Sequence, residues 1–80
     1  MEEVKFKIEK ILLSLIPDIR LDSDSLVDDG MLGSLDIVTL ITEIDDEFGI
    51  RIPPEEIIPE TFNSVKAISA LVLNLDSNNE

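Results

Sequence analysis

The sequence contains no cysteine, histidine, tryptophan or tyrosine, and only three phenylalanines in 80 residues. Without cysteine there is no disulfide framework, no zinc site of the cysteine type and no thiol chemistry of the chain's own. Without histidine the commonest general base and metal ligand is missing. Positive charge is also scarce: six basic side chains stand against 18 acidic ones, for a net charge of −12. A field of that sign repels phosphate backbones and anionic lipid, so the expected partners are basic protein surfaces, with no nucleic acid. No apolar run approaches the roughly 18 residues of a membrane span, and MEEVKFKIEK lacks the basic and then apolar regions of a signal peptide. The expectation is a cytoplasmic chain with no membrane insertion.

What is present is enough for a core. The hydrophobic content of 44% is ordinary for a globular protein, so the charge does not imply disorder. The length allows one domain over residues 1–80, with residues 75–80 expected to fray. The charge is segregated along it. Residues 1–17 are neutral, residues 18–60 carry −11, and residues 61–80 add −1. The acidic middle is either a solvated face that keeps a small protein soluble or a docking surface.

Periodicity predicts helices. Val4, Ile8, Ile11, Leu12 and Leu15 share one helical face, and Pro17 closes that helix. Residues 21–33, LDSDSLVDDGMLG, read as an ordered loop pinned by Leu21, Leu26, Val27, Met31 and Leu32. A second helix is expected from Ser34, with the Ser34 hydroxyl as N-cap, Asp36 in the first turn, and Ile37, Leu40, Ile41, Ile44 and Phe48 as the buried stripe before Gly49. Ile50-Arg51-Ile52 reads as an extended link. Pro54 is expected to open a brief third helix that Pro59 ends. Asn63 or Ser64 should cap a last helix with Val65, Ile68, Leu71, Val72 and Leu75 on one side, before a polar stretch over residues 76–80. The fold class is all-α: a small four-helix bundle of three longer helices and one short one.

Little chemistry is available to such a bundle. A nucleophile would have to be Ser, Thr, Lys or a carboxylate, and no base with an orienting partner is recognisable, so an enzyme is not expected. A calcium loop laid from Asp22 puts Val27 where the turn glycine belongs and Gly33 where the bidentate glutamate belongs, so the pattern fails and no metal site is expected. The second helix is more informative. At about 100° per residue, Leu35, Val38 and Thr42 lie off the core stripe beside Ser34, and Asp36, Glu43, Asp46 and Glu47 cluster further round. Leu35 and Val38 either touch the long loop or the short helix, or form an exposed apolar strip. Bordered by carboxylates, such a strip suits a basic partner with an apolar centre.

Gly33-Ser34-Leu35-Asp36, opening an acidic helix after a long loop and followed by Asp-Glu-Phe-Gly-Ile and Ile-Pro, resembles the acyl carrier protein family, including peptidyl and D-alanyl carriers. The likeness covers nearly the whole chain and is most specific over Asp28 to Ile57. It implies a four-helix bundle that is a carrier and not an enzyme. It implies 4′-phosphopantetheine attached covalently at Ser34, with acyl or aminoacyl groups held as thioesters on that arm. It also implies a phosphopantetheinyl transferase and acyl- or aminoacyl-loading and acceptor enzymes as partners. Leu35, Asp36, Val38, Thr42, Glu43, Asp46 and Glu47 would be their contacts on a monomeric carrier. One departure stands out: the family's usual Asp before the serine is Gly33 here, and in the family that Asp helps the transferase dock. The stretch Asp-Gly-Met-Leu-Gly-Ser-Leu looks more like the discrete amino-acid or specialised carriers than the Gly-Ala-Asp-Ser-Leu form common in fatty acid biosynthesis. Two alternatives stay open: Ser34 as a cap alone, and an unmodified acidic adaptor of the same fold.

Overall fold

Among residues 2–78, which the computed structural model describes, the chain forms α1 (Glu2–Leu15), α2 (Ser34–Phe48), a 3-10 turn (Pro54–Glu56), α3 (Pro59–Phe62) and α4 (Val65–Asn78). No strand occurs among the described residues, and the expected three longer helices and one short one are borne out. α1 packs against both α2 and α4, and α3 packs against α4. The apolar stripes meet in one core: Ile8 and Leu12 of α1, Leu40 and Ile44 of α2, and Ile68 and Val72 of α4 are fully buried. Val4, Ile11, Leu15, Ile37, Ile41, Phe48 and Leu75 are packed half-buried around it. Helices this short are unstable in isolation, so it is this shared burial that holds them.

Residues 16–33 join α1 to α2 without regular structure and are nevertheless fixed. Leu26 and Leu32 sit in the core, and Leu21, Val27 and Met31 pack against it, so all five expected anchors are engaged. Ile19, only 6% exposed, is a sixth anchor. The Gly30 N–H donates to the Val27 carbonyl at 3.0 Å with Gly30 at φ 83°, a left-handed turn position suited to glycine.

Two boundaries differ from expectation. The N-cap of α2 is Gly33, not Ser34: Gly33 is extended (φ −86°, ψ 178°), and its carbonyl accepts the first helical hydrogen bond, from the Ile37 N–H at 3.0 Å. Ser34 is therefore already inside the first turn and its hydroxyl caps nothing. Pro59 opens α3 instead of ending a helix begun at Pro54. The 3-10 turn stops by itself after Glu56, and Ile58 is extended (φ −131°, ψ 157°), as the residue before a proline prefers. Pro59 then occupies the first helical position, where its missing N–H costs nothing.

The remaining boundaries follow the sequence. Gly49 ends α2 in the left-handed conformation (φ 64°), its N–H bonded to the Asp45 carbonyl at 2.9 Å. Ile50 and Ile52 are buried on either side of exposed Arg51, the alternation of an extended segment. Ser64 caps α4: its Oγ accepts from the Ala67 N–H at 3.0 Å. The α4 backbone stays helical to Asn78, past the last apolar position at Leu75, and residues 79 and 80 of the expected frayed tail lie outside the described residues.

Candidate functional site

Ser34 stands on the first turn of α2, directly after the anchored loop, and it is exposed. Among the described residues its hydroxyl has no hydrogen-bond partner. The backbone N–H groups of a first turn have no intrahelical acceptors and carry the positive end of the helix dipole. Of these, among the described residues, only the N–H of the cap residue is satisfied by a side chain: Gly33 N–H donates to Asp36 Oδ2 at 3.1 Å, half of a capping box. An uncommitted hydroxyl beside the unpaired N–H groups of Ser34, Leu35 and Asp36 fits a phosphodiester, whose negative charge the helix end favours even in an acidic chain.

Next to Ser34 lies the apolar strip. Leu35 is 83% exposed and Val38 60% exposed, so neither is covered by the long loop or by the short helix. Thr42 is exposed, but its hydroxyl donates back to the Val38 carbonyl at 3.1 Å, as that of Thr39 does to Leu35 at 3.1 Å. Both hydroxyls are thus committed to the backbone of their own helix. Glu43 and Asp46 are exposed further along the helix.

Two acids are partly committed within the fold. Asp36 is half-buried and turned back onto the Gly33 N–H. Glu47 pairs through Oε2 with Lys7 Nζ of α1 at 3.3 Å. The face at Ser34 is therefore narrower in free charge than its sequence, and its centre is apolar.

Sequence reasoning missed Asn63 as more than a possible cap. Its side chain reaches the long loop: Oδ1 accepts from the Val27 N–H at 2.9 Å and the Asp28 N–H at 3.1 Å, and Nδ2 donates to Asp28 Oδ2 at 3.2 Å. No local signal could have found this, because the partners lie 35 and 36 positions away. Among the described residues no group of three or more acidic side chains is arranged to hold a metal ion, and no helix is long and apolar enough to cross a membrane.

A small all-helical bundle with an exposed serine at the head of an acidic helix has the architecture of a carrier type of domain. A family model described as a phosphopantetheine attachment site matches residues 6–72, and the chain belongs to that family, the acyl carrier proteins. Among curated relatives, it is 45% identical over 49 residues to aminoacyl carrier protein 2 of Bradyrhizobium diazoefficiens, a match spanning 61% of this chain and 54%, about half, of that relative. It is 34% identical over 76 residues to aminoacyl carrier protein 1 of the same organism, covering 89% of this chain and 83% of the relative. An acyl carrier protein of Buchnera aphidicola is 37% identical over 75 residues, covering 90% and 94%. No solved structure gives a significant match. The chain is thus a carrier protein that bears covalent 4′-phosphopantetheine and works with partner enzymes, and membership of this family favours that reading over an unmodified adaptor.

Proposed function

We propose that Ser34 is the attachment residue, that the strip of Leu35, Val38 and Thr42 with Glu43 and Asp46 receives the partner enzymes, and that the cargo is an aminoacyl group. The observation that carries the reading is the exposed Ser34 hydroxyl, free of any capping duty, beside a leucine that is 83% exposed. Attachment forms a bond from Ser34 Oγ to the phosphorus of the phosphopantetheine half of coenzyme A. The pyrophosphate P–O bond breaks, adenosine 3′,5′-bisphosphate leaves, and the serine proton passes to a base of the transferase. Once attached, the group supplies a thiol on a long flexible arm, the nucleophile that the chain lacks.

The residues of the chain do three things for that arm. The first turn of α2 offsets the charge of the phosphodiester. The exposed strip gives partners an apolar centre of small area, so that complexes are transient and cargo is handed on. The absence of Cys and His leaves a thioester no attacking group of those kinds on its own carrier. Transferase, loading and acceptor enzymes with basic surfaces are the partners, and the carrier acts as a monomer in the cytoplasm. The aminoacyl cargo is supported by the Asp-Gly-Met-Leu-Gly-Ser-Leu stretch and by the two relatives named as aminoacyl carriers.

Incubation with coenzyme A and a broad-specificity transferase tests the attachment. Intact mass should rise by one phosphopantetheine in the wild type and not at all in Ser34→Ala. A gain retained in Ser34→Ala, or no gain in the wild type with several transferases, would remove the assignment. Mass spectrometry of the thioester on protein from its native source decides the cargo, a fatty acyl group being the outcome against the aminoacyl reading.

A further inference from the structure

Asn63 sits between two fixed points. Its backbone ends α3 at φ −74° and ψ −16°, and the next residue, Ser64, caps α4. From that platform it holds the loop before α2 with both backbone and side chain. The Asn63 carbonyl accepts from the Leu26 N–H at 2.8 Å, and the side chain makes the three bonds to Val27 and Asp28 already described. The path continues: the Leu26 carbonyl accepts from the Leu32 N–H at 2.9 Å, and Leu32 is buried, two positions before Ser34. A hydrogen-bonded chain thus runs from the α3–α4 junction through Leu26 to Leu32 and on to the head of α2.

We propose that Asn63 is a positioning residue for phosphopantetheine attachment: it fixes the loop that leads into Ser34 and ties the position of Ser34 to that of α3. The proposal rests on Ser34 being the attachment site. A transferase must bring the Ser34 hydroxyl in line with the phosphorus it attacks, and a preordered loop removes an ordering cost from that encounter. Residues 16–33 have no helix or strand to order them, so their polar backbone groups depend on tertiary bonds such as those of Asn63, beside the apolar anchors. Amides of such segments open more easily than those of the core, and each lost hydrogen bond shifts the opening equilibrium. The same linkage means that anything moving α3, including a docked enzyme, is felt at the head of α2.

Three variants test this without relying on one fold. Asn63→Leu removes all the side-chain bonds. Asn63→Asp keeps acceptors for the Val27 and Asp28 N–H groups but sets a new carboxylate against that of Asp28. The double change Asn63→Asp with Asp28→Asn restores a donor facing an acceptor and keeps the net charge, with Asp28→Asn alone as the control for lost charge at that position. In Asn63→Leu, amide exchange at Val27, Asp28 and Leu32 should accelerate by roughly tenfold, while core amides of α4 keep their protection. For attachment, KM for the carrier should rise by about threefold to tenfold with kcat unchanged, a smaller rise should appear in Asn63→Asp, and the double change should recover the KM of Asp28→Asn. A wild-type KM in Asn63→Leu despite fast exchange at Val27 and Asp28, or continued protection of Leu32, overturns the proposal. If Asn63→Leu fails to fold, the two carboxylate variants decide it, and recovery by the double change is then required. If the wild type is not modified at Ser34, the attachment reading fails instead, and exchange at Leu32 still reports whether the chain of bonds reaches the head of α2.

Discussion

Lys7 and Glu47 meet at 3.3 Å across the α1–α2 interface, with both side chains close to half exposed. Lys7 also lies over the Phe48 ring, 5.8 Å from its centroid. The pair joins a segment of zero net charge to the acidic middle of the chain, so one acid at the edge of the proposed docking face already has a partner. Exposed pairs of this kind contribute about 0.2–1 kcal/mol. Glu43 and Asp46, exposed and without an ion pair among the described residues, are where charge is available to a partner.

The proposed docking face can accordingly be tested apart from the fold. Glu43→Lys with Asp46→Lys should leave helicity intact and relieve self-repulsion in the acidic middle. Association with transferase or loading enzyme should slow, and the wild-type rate should fall as salt rises, since exposed charges act over a Debye length of about 8 Å at physiological ionic strength. Glu47→Lys should in addition lose up to about 1 kcal/mol by breaking the contact with Lys7. Stopped-flow association at several salt concentrations, with thermal melts alongside, checks both. An unchanged rate and salt dependence would make the acidic face a solvated surface only.

Leu35→Ala acts differently because Leu35 touches solvent over most of its surface. Stability should stay within about 0.5 kcal/mol of wild type, as for other surface substitutions. The complex should weaken mainly through faster dissociation, since the change removes apolar area at the centre of the proposed footprint and no charge. Surface plasmon resonance resolves the two rates.

The fold was largely legible, because each long helix carries its burial in its own periodicity and Gly49 and Ser64 are strong local signals. What was not legible depended on residues distant in sequence or on competition between neighbours. Phe62, fully buried, sits in a one-turn helix too short to show a period, and Ile19 lies in a segment with none. Gly33 stands at the cap in place of Ser34, a better capping residue by composition, and its N–H is held by the Asp36 carboxylate from three positions on. At the site, Leu35 and Val38 were readable as off the core stripe, but their exposure depended on where the loop and short helix settled. The commitments of Glu47 to Lys7 and of Thr42 to the Val38 carbonyl are tertiary and rotameric facts that composition does not carry.

Phe62→Ala should destabilise the domain more than any surface change. Phe62 is fully buried, and truncating such a ring costs about 3–5 kcal/mol. A chain of 80 residues has a total stability of about 4–12 kcal/mol, so the loss is a large fraction of the whole. Urea unfolding followed by circular dichroism should show the midpoint fall in proportion to that loss. Attachment at Ser34 should fall with the folded fraction.

Ser34→Ala and Asp36→Ala should separate attachment from capping. Ser34 caps nothing, so its replacement should change stability by no more than about 0.5 kcal/mol, where loss of a true N-cap serine costs about 1 kcal/mol. Asp36→Ala removes the acceptor for the Gly33 N–H and the acid of the first turn, and should cost about 0.5–1 kcal/mol. Chemical denaturation of the two variants side by side reads the order. A larger loss in Ser34→Ala would return the cap to the serine.

Gly33→Asp tests the departure from the family's motif. The backbone there is extended at φ −86°, open to any residue, and a Cβ would meet only Asp36 Oδ2, at an ordinary contact distance of 3.6 Å. Glycine is thus not required for geometry, and aspartate would stand at the N-cap, where it is among the favoured residues. The gain over glycine is only a few tenths of a kcal/mol by capping preference. The new carboxylate also faces that of Asp36, which already holds the Gly33 N–H, and this offsets part of the gain. Stability should therefore move little in either direction, while a transferase of the fatty-acid-carrier type, given the carboxylate it meets in other members of the family, should modify the variant faster than the wild type. Modification kinetics beside a thermal melt distinguish the outcomes. A rate unchanged at equal stability would mean that Gly33 alters neither recognition nor fold. A faster rate accompanied by a large stabilisation would assign the effect to capping and not to the docking contact.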